Sequence, residues 1–252
     1  MSLISLTTPA GTAEAVLALP SDHQEGQTHP GVLFFMDAIG IRPQIEEMAQ
    51  RIADWGYVVL APNVFYRTGS VEEIAPKADL REPGEREKFF PTIMPHMQAL
   101  TADKSNEDTA AYVAALRAMP EVADGPMGTT GYCMGARLAT RAAGNHPDDI
   151  AAVGGFHGGG LVTEDADSPH LSLATAKAQF VYGHADQDQS MPVEAVAKLG
   201  EALSAAGLTY SNEIYPGAPH GYSMNDTSMY DEGAAERSFT ELESLLGRTL
   251  HG

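Results

Sequence analysis

The chain of 252 residues predicts an α/β fold, with a mostly parallel central sheet, helices on both faces and an N-terminal β-hairpin. Three observations predict it. Continuous apolar runs at 31–36 and 56–61 read as strands buried on both faces. Helix-period segments separate such runs along the chain, as crossover connections do. At 127–143 a short strand-like approach enters Gly131-Tyr132-Cys133-Met134-Gly135 and leaves as a helix, which is the pattern of a sharp strand-to-helix turn lifting one side chain above a sheet.

The elements follow in order. Residues 2–8 and 13–19 are two β-like runs joined by Pro9-Ala10-Gly11-Thr12, a hairpin. Residues 22–30 are a polar surface loop. The strand at 31–36 ends in Asp37-Ala38-Ile39-Gly40, and Pro43 opens an amphipathic helix to about Trp55. The next strand is closed by Pro62-Asn63. From 64 to about 96 the periodicity fails at Gly69, Pro76, Pro83, Gly84, Pro91 and Pro95, and a stretch this long between core elements reads as a cap or lid. Residues 97–118 return to a helical pattern with a break near Asp103. After the Cys133 turn come strands at 150–155 and 178–182, a helix at 192–206, a last strand at 209–215, and a final helix at 229–246 with Gly247 just past its end. No repeat or linker divides the chain, so one domain spanning 1–252 is expected.

Composition narrows the function. With 43% hydrophobic and 19% charged residues the chain has an ordinary globular make-up. Its 34 acidic residues against 15 basic, a net charge of -19, argue against nucleic acid or an anionic membrane as partner. One cysteine excludes an internal disulfide or a Cys-rich metal site. Residues 1–20 lack a basic leader pattern and no stretch approaches ~20 apolar residues, so a cytoplasmic enzyme is expected.

The residues that carry chemistry lie at predicted strand ends. Cys133 occupies the turn position where a nucleophile would stand; the alternative for it is a buried free thiol. His220, in Tyr215-Pro216-Gly217-Ala218-Pro219-His220-Gly221, follows the last strand in a loop, as a base would. Asp186 and Asp188, after the strand ending at Tyr182, are both candidates for the acid that orients it. Their segment starts like a calcium loop, but Met191 stands where that loop requires glycine, and no metal is expected. His157, in Phe156-His157-Gly158-Gly159-Gly160, reads as a tight turn shaping the pocket.

Met36-Asp37-Ala38-Ile39-Gly40, the Cys133 turn, the Asp-to-Pro192 segment and the His220 loop, in that order, resemble the dienelactone hydrolase family of α/β-hydrolases. The resemblance implies an α/β-hydrolase fold and a Cys-His-Asp triad that cleaves a small ester or lactone through an acyl-thioester. It favours Asp188 over Asp186, because Asp188 stands four residues before Pro192. It places Asp37 where the family carries a glutamate near the resting cysteine, and Met224 where well-known members carry an arginine for a substrate carboxylate. Arg86 and Phe90 resemble the family's pocket segment and are the expected substrate-binding pair.

Each role has a physical basis. A free thiol has pKa near 8.5, so Cys133 needs the His220 ring to become a thiolate. The acid fixes the imidazole tautomer, the helix N-terminus favours negative charge, and the N–H groups of Met134 and Ala38 are the expected oxyanion donors. No metal or organic cofactor is expected. The partner is a small ester or lactone, and the chain is a monomer or small homo-oligomer. The other readings are a broader carboxylesterase or thioesterase, and a small-ligand binder or thiol sensor on the same fold.

Overall fold

The structure, a computed structural model, describes residues 1–251. Strands β1 (Ser2–Thr8) and β2 (Gly11–Ala18) pair antiparallel across Pro9-Ala10, with Thr8 opposite Gly11. β3 (Gly31–Phe35) and β4 (Val58–Pro62) are buried at every position, as their unbroken apolar sequence requires. β5 (Met127–Tyr132), β6 (Ile150–Phe156), β7 (Gln179–His184) and β8 (Tyr210–Ile214) complete an eight-stranded sheet in the order β1-β2-β4-β3-β5-β6-β7-β8. β2 meets β4 antiparallel, and every pairing from β4 to β8 is parallel.

Helices cover both faces. α1 (Pro43–Ala53) and α7 (Glu232–Leu250) share one, where Arg51 lies 3.9 Å above the Phe239 ring. α4 (Ala102–Arg117) and α5 (Met134–Asn145) pack together on the other, so the central strands are closed to water on both sides while the edge strands β1 and β8 stay partly exposed. α6 (Val193–Ala205) follows β7 and packs on β8. Among the described residues no helix is long and apolar enough to cross a membrane.

The segment expected to be irregular is partly helical. It holds the single turn α2 (Val71–Ile74) and α3 (Glu85–Ala99), which continues without a break through Pro91 and Pro95. Proline's φ is already helical, so each costs an N–H and crowds the preceding turn. Glu87 and Pro91, whose carbonyls lose a partner, are exposed, and Ile93 is the one residue of α3 that is fully buried. The expected break near Asp103 lies at Thr101, whose hydroxyl caps α4 by accepting from the Lys104 N–H. α7 continues through Gly247 to Leu250 instead of stopping before it. Leu246 and Leu250 pack over Gly128 of β5, and that apolar contact outweighs one glycine's helix penalty.

After β3 the chain makes β4 and then returns, through α2 to α4, to lay β5 on the other side of β3. The strand order therefore reverses between β3 and β5. In open α/β sheets a crevice forms at such a point, outside the carboxyl ends of the strands. Asp37 and Cys133 are at those ends.

Candidate active site

Cys133 is the N-cap of α5, with φ 53° and ψ -116°, a region that non-glycine residues rarely adopt. Two glycines permit the turn. A Cβ on Gly131 would fall 2.1 Å from the Gly135 carbonyl oxygen, and one on Gly135 would fall 2.2 Å from that of Phe35. The first lets the helix fold back on its strand; the second lets the helix start lie against the end of β3. The Cys133 N–H donates to the Phe156 carbonyl at 3.0 Å. The described non-glycine residues with positive φ are Cys133, His157 and Gln187, at the ends of adjacent strands β5, β6 and β7. Strain concentrated in this way marks functional sites, because a surrounding structure must hold it.

Onto Cys133 the structure brings His220, with Nε2 3.0 Å from Sγ. On the other side of the ring, Nδ1 lies 2.6 Å from Asp188 Oδ2. Asp188 Oδ1 accepts from the Ser190 N–H at 2.9 Å and its hydroxyl at 2.7 Å, so both carboxylate oxygens are engaged. Asp186 points elsewhere, and its Oδ2 accepts from the Gly217 N–H at 2.8 Å. With Asp186 N–H donating to the Ala218 carbonyl, it fastens the β7 loop to the His220 loop. Of the two carboxylates, Asp188 is the one that reaches the imidazole.

The electrostatics follow from this chain of contacts. Burial opposes charge on the Cys133 thiol, but the His220 ring, its hydrogen bond and the Met134 N–H outweigh burial and the anion of Asp37; the thiol pKa falls below its ordinary value. Burial likewise opposes protonation of His220, and the facing thiolate and Asp188 overcome it and raise its pKa. The two shifts describe one thiolate–imidazolium pair. Burial also raises the Asp188 carboxyl, yet its bonds to His220 and Ser190 hold it down to about 2.

Asp37 is near Cys133 but is not a free carboxylate. Arg42 Nη1 donates to Oδ1 at 2.7 Å, Nη2 to Oδ2 at 3.1 Å, and the Ile39 N–H to Oδ1 at 3.1 Å. The same guanidinium reaches Asp226 through Nε at 2.5 Å. Burial disfavours the charge on Arg42, and the two carboxylates more than restore it. Nothing singled out Arg42 in the sequence. Its one local oddity is a cation at the N-cap of α1, against the helix dipole and with no side-chain cap. Ala38 and Met134 are both buried, beside Asp37 and Cys133 respectively.

A cavity of about 390 Å³ opens over Cys133, lined by Phe90 and Met97 of α3, by Met134 and Arg137 of α5, and by Gly159, Gly160, Ser190 and His220. Phe90 is thus in the wall. Arg86 is not among the lining residues; its guanidinium sits 5.1 Å over the Phe90 ring. His157 does not line the cavity either. It is fully buried behind His220, with ring centroids 5.4 Å apart and Nε2 2.7 Å from the Ser223 hydroxyl. Its positive φ makes the turn that the glycine-rich sequence suggested, so it backs the imidazole rather than the ligand space. Arg137 went unremarked in the sequence although it stands four residues after Cys133, one helical turn along the same face. Among the described residues no group of three or more His, Cys, Asp or Glu could hold a metal ion.

The family model of the dienelactone hydrolase family matches residues 13–250. The chain belongs to the dienelactone hydrolase family. Relatives include a Methylorubrum extorquens protein with the provisional name carboxymethylenebutenolidase, 25% identical over 92% of this chain and 76% of its own. The carboxymethylenebutenolidase of Rhodococcus opacus is 24% identical over 85% of this chain and 77% of its own. In fold, a Klebsiella pneumoniae crystal structure provisionally named a dienelactone hydrolase aligns with TM-score 0.83 over 98% of both chains at 20% identity. Met224, in the place where the resemblance implies an arginine, has its sulfur 3.4 Å from Arg42 Nη2, a guanidinium already held by Asp37 and Asp226 and outside the cavity lining.

Proposed function

We propose that this dienelactone hydrolase family member hydrolyses small carboxylic esters or lactones with Cys133 as nucleophile, His220 as proton carrier and Asp188 as its orienting acid. One observation carries the reading: the continuous contact Cys133 Sγ, His220 Nε2, His220 Nδ1, Asp188 Oδ2 at 3.0 and 2.6 Å, on a strained turn at a sheet switch point. The names of the relatives, carboxymethylenebutenolidase and dienelactone hydrolase, support a lactone as one substrate class.

In this mechanism the Cys133 thiolate attacks the carbonyl carbon, and the oxyanion that forms takes the N–H groups of Met134 and Ala38. Each such donor is worth about 3–4 kcal/mol where one has been removed from a comparable site. The carbonyl re-forms as the C–O bond to the leaving oxygen breaks, and the His220 imidazolium gives that oxygen its Nε2 proton. Neutral His220 then takes a proton from water as it attacks the thioester, and Cys133 leaves as thiolate. Asp188 keeps Nδ1 protonated throughout, so that Nε2 can accept and donate.

The test is a panel of lactones and p-nitrophenyl esters run on the unaltered chain and on Cys133→Ala, with mass spectrometry of the enzyme during turnover. A stoichiometric acyl adduct on the peptide containing Cys133, and no turnover by Cys133→Ala, are expected. Turnover by Cys133→Ala above a hundredth of the original would remove Cys133 as nucleophile.

A further inference from the structure

His157 is a buried titratable group that the hydrolytic steps above do not use. It follows β6 with φ 37°, is fully buried, and stands outside the cavity over Cys133. Its Nε2 lies 2.7 Å from the Ser223 hydroxyl, and its Nδ1 has no hydrogen-bond partner among the described residues. A buried polar atom without a partner is costly, and a positive φ is uncommon outside glycine. Packing alone would favour an apolar side chain here. A residue that keeps both features beside a reacting group points to a part in that group's work.

What His157 touches is the segment that carries His220. Its ring centroid lies 5.4 Å from that of His220 and 4.8 Å from that of Tyr222, both edge-to-face. Ser223, its hydroxyl partner, stands three residues beyond His220 and is 1% exposed. The Gly183 carbonyl of β7 accepts from the His157 N–H at 2.8 Å and from the Tyr222 hydroxyl at 3.0 Å. Two side-chain bonds, Tyr222 to Gly183 and Ser223 to His157, therefore fasten the chain just past His220 to the ends of β7 and β6. Among the described residues the stretch between β8 and α7 forms no helix or strand. Its place over the sheet is set by such bonds rather than by a backbone ladder.

The same burial keeps His157 uncharged. Loss of water and then the charge on His220 hold its pKa well below the ordinary imidazole value; Arg86 acts in the same direction, and Asp188 opposes them. The other titratable groups packed on the ring are the phenols of Tyr222 and Tyr132, which burial keeps neutral. Of the two imidazoles in contact, the charge stays on His220, which faces the thiolate and Asp188. A neutral ring backs His220 without drawing its proton away.

We propose that His157 is a positioning residue: its bond to Ser223 holds the His220 ring in line between Cys133 Sγ and Asp188. The proposal rests on the hydrolase reading above. It has a consequence that packing alone does not have. Removing either end of the His157–Ser223 bond should disturb the Cys133–His220 pair in the same way, and removing both ends should disturb it no further.

Ser223→Ala, His157→Phe and the double variant test it. The first removes the hydroxyl, the second keeps a ring and removes the bond, and the double variant leaves neither end buried without its partner. One readout is alkylation of Cys133 by iodoacetamide against pH, which follows the thiolate and needs no turnover. With His220 loosened, the acid limb should move up toward 8.5 by about one pH unit in all three, roughly a tenfold loss of thiolate at a given lower pH. The other is kcat/KM for p-nitrophenyl acetate, which should fall about tenfold or more in each single variant, with the double variant no worse than the worse single. His157→Gln, whose amide can still reach the Ser223 hydroxyl, should keep more activity than His157→Phe. His184→Phe is the control. His184 is also buried, with Nε2 bonded to Asn212 and Nδ1 without a partner among the described residues, but its ring stacks on Tyr182. Its replacement should lower Tm and leave the acid limb unmoved.

An acid limb unmoved in Ser223→Ala and His157→Phe would overturn the proposal. So would a double-variant loss equal to the product of the single losses, or a shift in His184→Phe as large as in His157→Phe. Should His157→Phe fail to fold, Ser223→Ala and His157→Gln carry the comparison. If the unaltered chain hydrolyses no ester, the hydrolase reading falls, and the alkylation profile still decides whether His157 holds His220.

Discussion

The Asp188→Asn substitution isolates one contact that the structure makes unusually well defined. Asp188 Oδ1 is held by two donors, the Ser190 N–H and hydroxyl, at 2.9 and 2.7 Å. In the variant the Asn carbonyl oxygen must stay on that side, because an NH2 group there would face a backbone N–H. The amide NH2 is then forced into the place of Oδ2, 2.6 Å from His220 Nδ1, where it donates. The ring must accept at Nδ1 and carry its proton on Nε2, facing Cys133 with a hydrogen it cannot exchange for the thiol's. Loss of a charge-assisted hydrogen bond is worth about 1.5–3 kcal/mol. The wrong tautomer adds to this, and in serine triads the same exchange costs about 10⁴ in kcat, about 5.4 kcal/mol. A loss between 10² and 10⁴ in kcat/KM is expected, measured with a p-nitrophenyl ester. The pH sign follows from the same pair. In the unaltered chain the lowered Cys133 pKa and raised His220 pKa keep the thiolate present below the ordinary thiol value, with His220 still protonated above 6.5. In Asp188→Asn the acid limb of iodoacetamide alkylation should move up toward 8.5. Asp186→Asn is the control: it leaves the ring untouched and should stay within a few-fold. If Asp188→Asn retains more than a tenth of the activity with its acid limb unmoved, the orienting role is refuted.

Asp37→Asn should speed iodoacetamide alkylation of Cys133 near pH 6–7, because the anion of Asp37 opposes thiolate formation. It should also lower stability by about 1.5–3 kcal/mol, since a buried charged hydrogen bond to Arg42 is lost; unchanged or slower alkylation would take Asp37 out of the site. Gly135→Ala places a methyl 2.2 Å from the Phe35 oxygen and 2.6 Å from that of Met36, both backbone atoms that cannot turn aside. Calorimetry should show destabilisation of about 1–3 kcal/mol or more, with the end of β3 pushed away from Cys133. Gly247→Ala, inside α7 with nothing within 4 Å of its added Cβ, should stabilise by up to about 1 kcal/mol, and a loss there would contradict the helix running to Leu250.

The sequence by itself determined what depends on local pattern. Unbroken apolar runs of five or six residues, too short for a buried helix, fit central strands, so β3, β4 and the parallel sheet were legible, and the family followed from four short motifs in order. The Gly-x-Cys-x-Gly turn was legible because its glycines are dictated by contacts within a few residues, Gly131 against Gly135. The course of α3 through its two prolines and the extension of α7 past Gly247 were not, since local preference there yields to exposure in one case and to packing on β5 in the other. The family resemblance favoured Asp188 over Asp186, but the residues themselves left both open until the tertiary structure placed the imidazole. The two are two residues apart in a loop, and only the position of His220, on another loop, decides which carboxylate it meets. Tertiary structure alone joined Arg42 to Asp226 across 184 positions. A charge in a sequence looks the same whether it is neutralised or not; its partner is found by distance in space, which the chain's order does not contain.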